Sequence, residues 1–163
     1  MIRRQLSSYI HKIKTKFPIL SISGPRQSGK TTLAKAIFPE YNYINLENPD
    51  ERLEVQEDTR GFLNHYAKDG VIIDEAQNLP ELFSYLQTFV DESRAMGKII
   101  LSGSQNFLLM EKISQTLAGR TGIVNLFPFA LEELKKTEYW KNDVLDFLFS
   151  GMYPAIYDRG IDP

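Results

Sequence analysis

Two kinds of hydrophobic pattern alternate along the chain. Short β-branched or apolar runs read as strands, and stretches with apolar positions every three or four residues read as amphipathic helices. The strand-like runs are Ile19-Leu20-Ser21-Ile22-Ser23, Tyr43-Ile44-Asn45-Leu46, Val71-Ile72-Ile73, Lys98-Ile99-Ile100-Leu101 and Ile123-Val124-Asn125-Leu126. Helices are predicted over residues 29–38, over 49–67 with Leu53, Phe62, Leu63 and Tyr66 as its apolar side, and through Leu82, Phe83, Leu86, Phe89 and Val90. Further helices are predicted over 107–118, 131–134 and 144–149, with a turn-rich piece at Gly151-Met152-Tyr153-Pro154. The opening residues form an amphipathic helix with Ile2, Leu6, Tyr9, Ile10 and Ile13 on one side.

Val71-Ile72-Ile73 carries no polar residue, so both faces of that strand are expected to be buried. Strands joined by helical crossovers predict an α/β fold in three layers, a five-stranded parallel sheet between helices. Ligands in such sheets lie at the carboxyl ends of the strands. The chemistry is therefore expected just after residues 23, 46, 73, 101 and 126.

Composition narrows the chemistry. A length of 163 residues suits one domain with a real core, and 42% hydrophobic against 25% charged residues is a globular balance. The absence of cysteine removes disulfides, thiolate metal sites and thiol nucleophiles, and two histidines leave little for a zinc site. The net charge of −2 does not suggest a polyanion binder, so nucleic acid is not indicated as a partner, nor is it excluded. No apolar run is long enough to span a membrane, and the charged start does not read as a secretory leader, so the expected compartment is the cytoplasm.

The strongest local signal follows the first strand. Gly24-Pro25-Arg26-Gln27-Ser28-Gly29-Lys30-Thr31 is G-x-x-x-x-G-K-[ST] set between a strand and a helix, a phosphate loop or Walker A motif. Its glycines let backbone N–H groups converge on an anion, and the next helix presents its positive end to the same place. Lys30 supplies charge to β- and γ-phosphates, and Thr31 offers a hard oxygen to Mg²⁺. Gly24 through Thr32 are the expected nucleotide-binding residues.

Val71-Ile72-Ile73-Asp74-Glu75-Ala76-Gln77 delivers two carboxylates to a strand's end. Asp74 has the Walker B role, holding Mg²⁺ through water, and Glu75 is placed to deprotonate an attacking water. The plainer alternative for Glu75 is an acidic residue starting the next helix. The fourth strand ends in Ser102-Gly103-Ser104-Gln105-Asn106, where Ser104, with Gln105 second, would sense the γ-phosphate; the same residues would also cap the following helix. Arg120, after Leu117-Ala118-Gly119, would reach a triphosphate in its own chain or a neighbour's, or simply offset a helix C-terminus. Arg26 reads as a rim residue.

These motifs together resemble the AAA-type ATPases of bacteria and archaea. More narrowly, they are similar to the prokaryotic family in which an AAA domain precedes a C-terminal domain of unknown function, and Arg3-Arg4-Gln5-Leu6 resembles that family's start. The resemblance runs from about residue 1 to residue 157. It implies sheet order 5-1-4-3-2, binding of ATP and Mg²⁺, and roles for Lys30, Thr31, Asp74, Glu75, Ser104 and Arg120. Members normally continue well beyond this length, and Gly151-Met152-Tyr153-Pro154-Ala155-Ile156 resembles the opening of the downstream domain. The expected organisation is an ATPase domain with its N-terminal helix over 1–135, then the start of a truncated helical region over 136–163.

The function expected is Mg-dependent ATP hydrolysis by a fragment of a longer protein, with a homo-oligomer as one setting in which Arg120 acts. A non-hydrolysing nucleotide switch that controls a partner domain is the first alternative. A helicase-like ATPase is the second, since Asp74-Glu75-Ala76-Gln77 also spells a helicase-type box, but a helicase needs a second motor domain. No guanine-reading Asn-Lys-x-Asp occurs, which favours adenine.

Overall fold

The computed structural model describes residues 2–104 and 107–159. Five strands form one sheet: β1 (Ile19–Gly24), β2 (Asn42–Asn45), β3 (Val71–Asp74), β4 (Ile99–Ser104) and β5 (Thr121–Asn125). They lie side by side in the order β2-β3-β4-β1-β5, which is the expected 5-1-4-3-2 read from the other edge. Each neighbouring pair is parallel. The register aligns Gly24 with Ser104 and Asn45 with Asp74, so the ends that carry the motifs lie along one edge.

The period of two along each strand sorts its side chains onto two faces. Ile19, Val71, Ile73, Ile99 and Leu101 face a core closed by α3 (Pro49–Glu57), α4 (Thr59–Tyr66), α5 (Leu82–Ser93) and α6 (Phe107–Thr116). Leu20, Ile22, Ile72, Ile100 and Val124 face a second core closed by α1 (Leu6–Lys14) and α2 (Lys30–Ile37). All of β3 is buried, as its unbroken apolar run requires. Phe83, 1% exposed, and Phe38, also 1% exposed, are the largest fully buried side chains of the two layers.

Several local expectations change. The helix expected over 49–67 is two helices, because Asp58 leaves helical geometry at φ −143° and ψ 68° and caps α4. Its Oδ1 accepts from the Gly61 N–H at 2.8 Å. The break turns the first segment, so Leu53 is exposed while Val55 takes the core position. Tyr9 is likewise half exposed, and Ile10 and Ile13 anchor α1. Strand β4 runs three residues further than its apolar stretch, which makes Ser102 and Ser104 strand residues.

The C-terminal part holds α7 (Leu131–Leu134), α8 (Val144–Ser150) and α9 (Pro154–Arg159), the last beginning where the expected turn ends. Phe129, Leu134, Phe147 and Tyr157 make a third, smaller cluster, joined by Ile2 from the N-terminal arm. This cluster packs residues from both sides of position 135 together. Among the described residues, no helix is long and apolar enough to cross a membrane.

Gly61 is explained by the cap, since a Cβ there would sit 2.0 Å from Asp58 Oδ2. Removing the cap with Asp58→Ala should cost about 1 kcal/mol. In that background Gly61→Ala should recover most of the loss through helix propensity, about 0.5–1 kcal/mol. In the wild type the same change should give clearly less, because the new methyl displaces the cap. Urea unfolding of the four chains tests this double-mutant cycle.

Candidate functional site

At the carboxyl edge of the sheet, β1 passes into α2 through residues 24–29. Gly24 has φ +154°, and a Cβ on it would lie 2.1 Å from the backbone oxygen of Leu126, so only glycine fits where the loop leaves the sheet. Gly29, at φ +89°, turns the chain into α2 through the left-handed region. Gln27 also sits there, at φ +61°, and a non-glycine residue in that region is held by its surroundings at a cost of about 1–3 kcal/mol.

Lys30 is the first residue of α2 and is buried. Its ammonium donates to Gly24 O at 3.1 Å and Pro25 O at 2.8 Å, so it lies across the inside of its own loop. Burial pushes its pKa below the ordinary lysine value, while the nearby Glu75 and Asp74 carboxylates pull the other way. Arg26 is exposed at the rim, Ser28 is buried, and Thr32 is exposed.

Asp74 ends β3 on the face that α2 covers. Its Oδ2 accepts from Thr31 Oγ1 at 2.7 Å and from the Tyr43 hydroxyl at 2.9 Å. Its Oδ1 accepts from the Glu75 N–H at 3.1 Å and from the Ser102 hydroxyl. The buried carboxylate is thereby saturated by four donors. Strand parity explains the meeting: Tyr43, Asp74 and Ser102 share the face of Ile72 and Ile100. Burial and the Asp74 carboxylate together raise the Tyr43 pKa well above its ordinary value.

Glu75 turns out of the strand with φ +50° and begins a 3-10 turn, Ala76–Asn78. It therefore precedes a 3-10 turn rather than opening an α-helix, makes no side-chain cap, and turns its carboxylate toward Ser104. Glu75 Oε2 accepts from Gln77 Nε2 and from the Ser104 N–H at 3.5 Å. Ser104 thus reaches the acidic pair through its backbone. Gln105 lies outside the described residues.

Arg120 is elsewhere. Its carbonyl accepts from the N–H of Ile19, the first residue of β1, at 3.2 Å. The phosphate loop is at the other end of that strand, roughly 17 Å away at the usual rise per residue. The guanidinium is engaged by both oxygens of Asp91 at 2.7 Å and by Ala118 O at 3.3 Å. Arg120 does not reach the loop of its own chain.

Sequence reasoning missed three contributors to this site. Tyr43 and Ser102 carried a signal in strand parity, because each lies an even number of residues from a core-facing strand position on the Asp74 face. Arg4 carried none. It sits far away in the chain, yet its Nη1 donates to the Ser28 carbonyl at 3.0 Å.

Residues 16–135 match the family model described as AAA domain. The chain belongs to this AAA domain family. Two uncharacterized mycobacterial proteins, Rv2008c of Mycobacterium tuberculosis and Mb2031c of Mycobacterium bovis, are each 32% identical over 128 residues. That match spans 76% of this chain and 28% of either relative's length. Among solved structures, the Walker-type ATPase PABY2304 of Pyrococcus abyssi is similar at TM-score 0.60 and 21% identity, over 83% of this chain and 57% of that one. The RuvB Holliday junction branch migration motor of Thermotoga maritima is similar at TM-score 0.54 and 20% identity, over 83% of this chain and 49% of that one. These likenesses show that the AAA domain has a P-loop ATPase fold, and membership of the family implies nucleotide binding.

The Tyr43–Asp74 bond is testable without a ligand. Tyr43→Phe should lower stability by about 1.5–3 kcal/mol near neutral pH, as expected for a hydrogen bond to a charged group. Because the folded-state pKa is raised, wild-type stability falls as pH climbs past about 10, where the unfolded phenol ionises first. The penalty of Tyr43→Phe should therefore shrink above that pH. A constant penalty from pH 7 to 11 in chemical denaturation would refute the assignment.

Proposed function

We propose that this AAA domain binds ATP with Mg²⁺ and hydrolyses it. The observation that carries the reading is the contact between Thr31 and Asp74 at 2.7 Å, directly beneath the phosphate loop, with Glu75 next in the chain. A hydroxyl and a carboxylate form an all-oxygen donor set, which suits Mg²⁺ and leaves the remaining positions to water and phosphate. Thr31 would hold the ion directly and Asp74 through water; when bound, it would neutralise charge developing between the β- and γ-phosphates.

In this reading the backbone N–H groups that follow Pro25 in the loop cradle the phosphates, and the Lys30 ammonium exchanges its two loop carbonyls for phosphate oxygens. Glu75 accepts the proton of the attacking water as its oxygen bonds to the γ-phosphorus, and ADP leaves. Both described hydrogen bonds to the Glu75 carboxylate fall on Oε2, which supports Oε1 as the proton acceptor. Ser104 stays beside this acid and contributes the sensing role. A second reading, a slow nucleotide switch, is favoured by the distance of Arg120 from its own loop. Under the first reading Arg120 serves the triphosphate of a neighbouring copy, which requires a homo-oligomer.

The whole protein's activity is a further proposal. We place residues 1–135 as the ATPase domain and 136–163 as the opening of a C-terminal region, which fits relatives of which this chain spans 28%.

Glu75→Gln should keep ATP affinity within a few-fold and lower turnover by about 10²–10⁴. Unchanged turnover would refute its role as base. Lys30→Ala should lose measurable nucleotide binding, and an unchanged dissociation constant would overturn the proposal. For Arg120, mixing inactive Glu75→Gln and Arg120→Ala chains should restore part of the turnover if the arginine acts between copies. No recovery, with Arg120→Ala alone inactive, would refute that arrangement.

A further inference from the structure

Arg4 belongs to an N-terminal arm that precedes every motif, yet it is 7% exposed and all three of its guanidinium nitrogens donate hydrogen bonds. An arginine cannot shed its charge, so a buried one must find acceptors for its fork of donors. Nη1 donates to Ser28 O at 3.0 Å, inside the phosphate loop. Nη2 donates to Phe127 O at 2.5 Å and to Pro128 O at 3.4 Å. Nε donates to both Glu133 oxygens, at 3.2 and 3.1 Å. The guanidinium also lies 4.7 Å from the centre of the Phe129 ring.

What lies on the far side of Arg4 is the C-terminal cluster. Phe129 donates its N–H to Met152 O at 2.8 Å and meets the Tyr157 ring edge-on at 5.7 Å. Glu133 is fixed by the N–H groups of Gln5, at 2.8 Å, and Ala130, at 3.0 Å. The two nearest atoms to a Cβ built on Gly29 are Pro154 Cγ at 3.7 Å and Arg4 Nη1 at 3.8 Å. Arg4 therefore bridges the phosphate loop and residues 127–133 by hydrogen bonds, and Pro154 lies beside the same loop.

The bond to Ser28 also has a directional consequence. The peptide between Ser28 and Gly29 is trans, so its C=O and N–H point opposite ways. A Ser28 carbonyl drawn to Arg4 turns the Gly29 N–H away from Arg4.

We propose that Arg4 is a positioning residue that aims the Gly29 N–H at a bound phosphate and ties the phosphate loop to residues 127–157, so that nucleotide binding and the docking of that segment strengthen each other. The aiming half rests on the nucleotide reading above; the tie does not. Coupling of this kind is reciprocal: whatever a docked segment adds to nucleotide affinity, nucleotide adds to docking.

The test uses the full 163-residue chain, its Arg4→Lys, Arg4→Ala and Glu133→Gln variants, hydrogen exchange and Mg-ATP titration. Arg4→Lys keeps the charge and loses the fork. It should speed exchange in residues 26–31 and 127–157 together, leaving β3 and β4 amides unchanged, and weaken ATP binding at least about fivefold. ATP should slow exchange in 127–157 of the wild type and no longer do so in the variant. Loosening of only one segment, or ATP protection that survives the substitution, would overturn the tie. Tight ATP binding by Arg4→Lys would overturn the aiming role and leave the nucleotide reading standing. Failure of the wild type to bind ATP would instead overturn the nucleotide reading, and joint loosening alone would then decide the tie. If Arg4→Ala does not fold, Arg4→Lys and Glu133→Gln carry the same comparison.

Discussion

A carboxylate buried at the end of a parallel strand must have its lone pairs filled, and around Asp74 that requirement organises the site. The donors come from four places in the chain: Thr31 at the start of α2, Tyr43 from β2, Ser102 from β4 and the backbone of Glu75. Each is satisfied only if β2, β3 and β4 keep their register and α2 keeps its seat over them. The same contact places Thr31 beneath the phosphate loop and leaves Glu75 to turn outward. A shift of one strand by one residue would send its donor to the other face of the sheet.

The loop itself is shaped by exclusion more than by attraction. Gly24 passes so close to the Leu126 carbonyl that no side chain can stand there, and the left-handed turns at Gln27 and Gly29 bring the chain round to α2. Such geometry is stored only where neighbours over-determine it. Those neighbours are Leu126, just past β5, on one side and Arg4 on the other, which is why a residue near the N-terminus bears on the loop.

Charge is distributed to match. Lys30 keeps its ammonium inside the loop by borrowing two carbonyls, with Asp74 and Glu75 close enough to favour the charged form against burial. Arg4 is balanced by Glu133 on a different side of the same loop. Arg120, at the opposite edge of the sheet, pairs with Asp91 near solvent, where such a bond adds little stability.

Periodicity and motif spacing by themselves determined the five strands, the layered α/β architecture and the position of the phosphate loop, and they singled out Lys30, Thr31, Asp74 and Glu75, which the fold brings to one edge of the sheet. These are short-range facts: a strand's burial, a loop's glycines and a motif's offsets are all written within neighbouring residues. The break at Asp58 was there to be read too, as a capping residue three positions before Gly61, but a long apolar period hid it. Only the tertiary structure decided that Tyr43 and Ser102 complete the Asp74 shell, that Arg120 stands a strand's length from the loop, and that Arg4 joins the loop to the C-terminal cluster. Those outcomes depend on which strands neighbour one another and on which distant segments supply acceptors for a buried charge, and no local pattern encodes either.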